Sequence, residues 1–128
     1  MTTLLWCLLI ATFMPLAWHC AGTVFRYRQF GAIDNDHPRL QQAQLTGIGA
    51  RALAAQQNSW EALAMFTPAV LTAQFNGVTA GHAVTASILF IAARLAYGCF
   101  YLVGLSSLRT LSWIIGTGAL IWLFVLAV

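Results

Sequence analysis

The sequence predicts an all-α membrane protein, a bundle of four transmembrane helices, and three observations carry that expectation. Sixty per cent of the 128 residues are hydrophobic and only 7% are charged, against about 25% charged in an ordinary soluble domain. A domain of this length can bury only part of that apolar surface in a core of its own, so the excess must face lipid or a neighbouring subunit. The apolar residues also gather in four stretches, each near the roughly 20 residues that a helix needs to cross the hydrocarbon. No stretch alternates with the period of a lipid-facing β-strand.

The first span is expected over residues 3–25, interrupted only by Pro15 and His19. It has no basic n-region and is long for a signal-peptide core, so it reads as a span. Residues 26–46 form the one real loop, where Gly31, Asp34, Asn35, Asp36, His37, Pro38 and Arg39 supply turn chemistry and solvated charge. The second span follows over 47–74, and the uncharged turn Phe75-Asn76-Gly77 separates it from a third over 81–104. The fourth fills 108–128. Residues 1–128 thus make a single domain with no linker and no internal repeat.

All six basic residues are arginines. Arg26, Arg28, Arg39 and Arg51 flank the first loop and Arg109 sits in the other connection on that side, which makes the loop cytosolic and points both termini away from the cytosol. A net charge of +3 without a basic run is no footprint for nucleic acid, which is excluded as a partner. Cys7, Cys20 and Cys99 show no metal-ligand spacing and read as small packing residues. No metal site is expected: Asp34, Asp36 and His37 have no further ligand at suitable spacing and read as a solvated turn.

Chemistry is expected where polar groups enter the spans. An ionised side chain at mid-bilayer costs about 2.5–3.5 kcal/mol even on lenient insertion scales, so Glu61 in the second span and Arg94 in the third must be paired, solvated or functional. Arg51, Asn58 and Glu61, at i, i+7 and i+10, share a narrow helical sector, as do Arg94, Tyr97 and Tyr101 at i, i+3 and i+7. Two facing stripes would line a cleft open to the cytosolic side, with Arg109 near its mouth and Arg26 and Arg28 across from it. Its net positive charge favours an anionic ligand held by paired hydrogen bonds. Equally, Glu61 and Arg94 would neutralise each other, with Asn58 and the tyrosines as interhelical hydrogen-bond partners. Spacing alone does not separate the two.

Arg51-Ala52, Asn58-Ser59-Trp60-Glu61 and Phe66 resemble the second-helix signature of the MAPEG family, the membrane-associated proteins in eicosanoid and glutathione metabolism. Ala93-Arg94-Leu95-Ala96-Tyr97 with Tyr101 resembles the family's third-helix stretch, and Leu108-Arg109-Thr110 its following arginine. The Asp34-Asn35 and Pro38-Arg39 pairs are similar to bacterial members, which implies a bacterial inner membrane. The resemblance implies a homotrimer of four-helix subunits that binds glutathione between subunits near the cytosolic face. By it, Arg51, Asn58, Glu61, Arg94, Tyr97, Tyr101 and Arg26 or Arg28 hold the peptide, and Arg109 stabilises its thiolate. The chain departs from the pattern at Ala54, where glutathione-binding members commonly carry an arginine, and at Ala64, where a proline is common.

The expected activity is a glutathione-dependent transferase or peroxidase acting on lipophilic electrophiles. The alternative is a non-catalytic MAPEG-like membrane protein that binds a lipid or another anionic small molecule. A small transporter is a third reading, prompted by ionisable residues within the spans.

Overall fold

A computed structural model describes residues 1–128 and contains four long helices, one short helix and no strand. Helix α1 spans Thr3–Phe30, α2 Pro38–Ala43, α3 Gly47–Phe75, α4 His82–Val103 and α5 Ser106–Ala127. Helix α1 runs five residues beyond the expected limit at residue 25, because the charge that begins at Arg26 ends the apolar stretch without breaking the helix. It stops at Gly31, whose φ of 74° and N–H bond to the Tyr27 carbonyl form a left-handed cap. The expected loop also holds α2, a single short helix opened by Pro38 at its first turn.

Of the long helices, α1, α4 and α5 are long and apolar enough to cross a membrane. Helix α3 is the least apolar, carrying Arg51, Gln56, Gln57, Asn58 and Glu61 in its first half. In compensation its buried stripe is built from small residues: Ala52, Ala55, Ser59, Ala62, Ala69 and Ala73, with Phe66 and Val70 between them. Small side chains let helix backbones approach closely, and dispersion across that contact holds helices together where no hydrophobic drive exists. Phe66 stacks on Phe90 of α4 with ring centroids 4.1 Å apart. Large apolar side chains such as Trp6, Phe13, Ile88, Ile121 and Val125 point outward.

Polar ties close both ends of the bundle. At one end Thr2 Oγ1 donates to Gln74 Oε1 at 2.7 Å, and Asn76 Nδ2 donates to the Ala127 carbonyl at 2.7 Å. At the other, Gln29 Nε2 donates to the Gln44 carbonyl at 3.0 Å while its Oε1 accepts from the Thr46 N–H at 3.0 Å. Asp34 Oδ1 accepts the backbone N–H groups of Asp36 and His37, each at 2.8 Å, and shapes the approach to α2. The His37 N–H bond, aided by that of Asp36 and by the charges of His37 and Arg26, holds the Asp34 carboxyl below its ordinary value of 3.8.

Helices α1 and α4 meet where the Trp18 indole lies flat against Gly98. A Cβ on Gly98 would come within 2.0 Å of Trp18 Cζ2. Gly98→Ala is therefore expected to destabilise the bundle by about 1–3 kcal/mol through overpacking, read as a lower unfolding midpoint in detergent. Part of the loss should return in the double variant with Trp18→Leu. A second expectation concerns acid. Because the Asp34 pKa is lower folded than unfolded, its contribution is complete above the unfolded value and is lost as pH falls through the folded one. The unfolding midpoint should fall with pH below about 4, and Asp34→Asn, which keeps an oxygen acceptor, should flatten that part of the profile.

Candidate functional site

The most deeply buried charged group in the bundle is Arg94, 4% exposed at the middle of α4. Its aliphatic stem passes Gly116 of α5, where a Cβ would meet Arg94 Cδ at 3.4 Å. The guanidinium turns toward α3: Nη2 donates to the Asn58 carbonyl at 3.3 Å and also to Asn58 Oδ1. Asn58 Nδ2 in turn donates to Glu61 Oε2 at 3.0 Å. Within one chain, then, Glu61 and Arg94 form no direct ion pair, and the asparagine amide stands between them as acceptor for one and donor to the other. Arg94 Nε is buried without a partner.

The same helix carries the chain of contacts onward by cation–π and edge contacts. Arg94 Cζ lies 4.3 Å from the Tyr97 ring centroid. Tyr97 meets Tyr101 edge-on with centroids 5.5 Å apart, and Arg109, in the first turn of α5, lies 4.5 Å over Tyr101. Glu61, Asn58, Arg94, Tyr97, Tyr101 and Arg109 thus form one continuous ladder across α3, α4 and α5. Two cavities flank it. One, of about 120 Å³, sets Asn58, Glu61, Arg94 and Thr117 against Met65, Phe90, Trp113 and Leu120. The other, of about 220 Å³, lies among Asn58, Tyr97, Tyr101, Arg109, Thr110 and Trp113. Asn58 and Trp113 border both.

Three arginines expected in the cleft lie elsewhere in this chain. Arg51 shares the helical sector of Asn58 but reaches the opposite way along α3, and its Nε donates to the Leu102 carbonyl at 3.0 Å. It thereby satisfies one of the unpaired carbonyls at the C-terminus of α4. Arg26 does not stand across from Arg109. Helix α1 packs on the other flank of α3, so Arg26 enters a separate small cavity with Gln42 and Gln56. Arg28 is exposed, 5.9 Å from the Phe25 ring. Conversely, the wall from α5 was not foreseen. Thr110, Trp113, Thr117 and Leu120 recur at helical spacing from Arg109, a signal that a strongly apolar helix masks.

The MAPEG family profile matches residues 3–128, nearly the whole chain. The chain belongs to the MAPEG family. No curated protein and no solved structure matches it. With three helices apolar enough to cross a bilayer, this MAPEG protein is an integral membrane protein. The family covers glutathione-related transferases and peroxidases.

The Asn58 bridge predicts a measurable asymmetry. Asn58→Ala removes an acceptor from a buried guanidinium and should cost about 1.5–3 kcal/mol, the range for hydrogen bonds to charged groups. Glu61→Gln keeps an oxygen for Asn58 Nδ2 at an exposed position and should cost well under about 1 kcal/mol. Unfolding titrations in mixed micelles would measure both, and equal losses would contradict the bridge.

Proposed function

We propose that this MAPEG protein is a glutathione-dependent membrane transferase or peroxidase acting on lipophilic electrophiles, working as a homotrimer of four-span subunits. The observation that carries this reading is the continuous ladder from Glu61 to Arg109, a row of groups that offers a carboxylate, an amide, two guanidinium groups and two phenols beside an apolar wall. Glutathione carries two carboxylates and one ammonium. Arg94 and Arg109 suit the former, with a free Nε on Arg94 as one unspent donor. Glu61, exposed and singly hydrogen-bonded, suits the latter. When bound, glutathione supplies a thiol that becomes the nucleophile on losing its proton. Arg109 would stabilise that negative charge with a fixed guanidinium in a site shielded from water, and Tyr101, packed beneath it, would hold the guanidinium in place. The Met65, Phe90, Trp113 and Leu120 wall would receive the apolar part of the electrophile.

Size as well as family supports the trimer. Ligand pockets generally enclose about 300–1,000 Å³, and neither cavity of the single chain reaches that volume. A second copy would supply the missing wall. On this reading the ladder's Arg109 end faces the cytosol, both termini face away from it, and α3 crosses as the fourth span with its polar flank turned inward. The bacterial inner membrane is the expected location.

One observation favours the alternative of a MAPEG scaffold that binds a lipid or another anionic metabolite without catalysis. Ala54 lacks the arginine common in glutathione-binding members, and Arg51 is engaged on the Leu102 carbonyl instead of compensating for it. Calorimetry of the detergent-purified trimer separates the two. Saturable glutathione binding that weakens at least tenfold in Arg94→Ala, with turnover lost and binding retained in Arg109→Ala, is the expected result. No binding at millimolar glutathione by a folded protein would overturn the thiol reading.

A further inference from the structure

Several hydroxyl groups inside the long helices are tied to their own backbone. Thr12, Ser59, Thr67 and Ser87 each donate to the carbonyl four residues back at 2.8 Å. No such bond holds Thr117 of α5, whose side chain lines the cavity of about 120 Å³ between α3, α4 and α5. A second unpartnered group meets it there. Arg94 Nη2 is taken by Asn58, but Nη1 makes no hydrogen bond and, in a side chain only 4% exposed, keeps contact with open space. Of the two cavities beside the ladder, Arg94 lines only this one. The cavity thus presents, at membrane depth, a charged donor that calls for an acceptor and a hydroxyl that both donates and accepts.

The rest of the enclosure is apolar and points to what carries that acceptor. Phe90 and Leu120 are buried and form its floor, whereas Met65 and Trp113 are exposed by nearly half and edge its opening. The volume is that of about four water molecules, too small for a tripeptide but enough for a two-oxygen head and the first carbons of an alkyl chain. Water filling the space would leave the apolar floor wet, and an anionic head would bring its charge against Glu61, which lines the same cavity. A halide offers nothing to either polar group, and an epoxide accepts without donating. We infer that the cavity binds the hydroperoxyl head of an alkyl hydroperoxide. Arg94 Nη1 donates to its oxygens, its O–H donates to Thr117 Oγ1, and the chain leaves between Met65 and Trp113.

The binding does not depend on the thiol reading given above, whereas the reaction rests on it. With a thiolate held at Arg109, whose cavity shares Asn58 and Trp113 with this one, sulfur attacks the terminal oxygen. The sulfur–oxygen bond forms, the oxygen–oxygen bond breaks, and the electron pair stays on the oxygen bound to carbon. That alkoxide lies against Arg94 and takes from water the proton that the thiol gave up. The products are an alcohol and a sulfenic acid, which a second thiol converts to a disulfide and water. Thr117 is then the residue that selects hydroperoxides over other electrophiles.

The test is retention of octyl hydroperoxide by the full-length protein in nanodiscs, corrected for protein-free nanodiscs and with no thiol present. Saturable binding is expected, displaced by octyl alcohol, which keeps the hydroxyl, and not by octane or the terminal epoxide of octene. Thr117→Val, nearly isosteric but without the hydroxyl, should weaken it about fivefold, the size of one net hydrogen bond, and Thr117→Ser should retain it. With glutathione added, the KM for octyl hydroperoxide should rise by the same factor in Thr117→Val while the KM for glutathione is unchanged. No saturable excess over protein-free nanodiscs, displacement by octane equal to that by octyl alcohol, or undiminished binding by Thr117→Val each overturns the proposal. The expected binding in a protein that takes up no glutathione would uphold the hydroperoxide site and overturn the thiol reading alone.

Discussion

A guanidinium at the middle of a membrane helix can neither lose its proton nor reach water, and the arrangement of α3, α4 and α5 follows from that constraint. Arg94 requires an acceptor inside the bundle, and α3 provides it. Asn58 provides two, the main-chain carbonyl and the side-chain oxygen. That requirement accounts for part of the polarity of α3, Asn58 directly and Glu61 through it. The Arg94 stem packs closely on Gly116 of α5, where a Cβ would lie 3.4 Å from Arg94 Cδ.

Helix α3 then has two unlike flanks. Toward α4 and α5 lie Asn58, Glu61 and Met65, and toward α1 lie Leu53 and Gln56, with the alanine stripe between them packed in the core. Each flank receives one buried arginine. The first is bridged to a carboxylate through an amide, whereas the second meets only neutral groups. On both flanks the arginine Nε is buried without a partner; only Arg94 has acceptors for its Nη2, the main-chain and side-chain oxygens of Asn58.

Much of this was legible in the sequence, for reasons that also explain the rest. The Arg94, Tyr97 and Tyr101 stripe and the Asn58 and Glu61 pair could be read because helical spacing fixes which residues share a face. That Asn58 would bridge Arg94 and Glu61 could not, since spacing gives a sector and not a rotamer. Arg51 and Arg26 fell outside the groove for a related reason. An arginine stem is long enough to carry its charge up or down a helix by about a turn, so Arg51 shares a sector with Asn58 yet caps α4. The destination of Arg26 depends on which flank of α3 receives α1, and nothing local encodes that choice. Helix α1 runs five residues past the expected span because hydropathy reports where lipid ends, while a helix continues until Gly31 permits a left-handed turn.

On the proposed reading, the arginines left out of the groove gain a meaning from where they end up. Arg28 and Arg51 sit at the same end of the bundle as Arg109, since Arg51 reaches the last turn of α4 and α5 begins only a few residues later. Arg51 uses Nε on Leu102 and makes no other hydrogen bond, so its terminal nitrogens are free to face outward. A neighbouring copy docked against the open side of the ladder would meet a rim already rich in guanidinium groups. The potential of that rim would draw an anionic ligand toward the ladder before any side chain touches it. An anionic peptide between two subunits is therefore favoured twice, once by the missing wall and once by the field that surrounds it, whereas a neutral ligand would gain only the first.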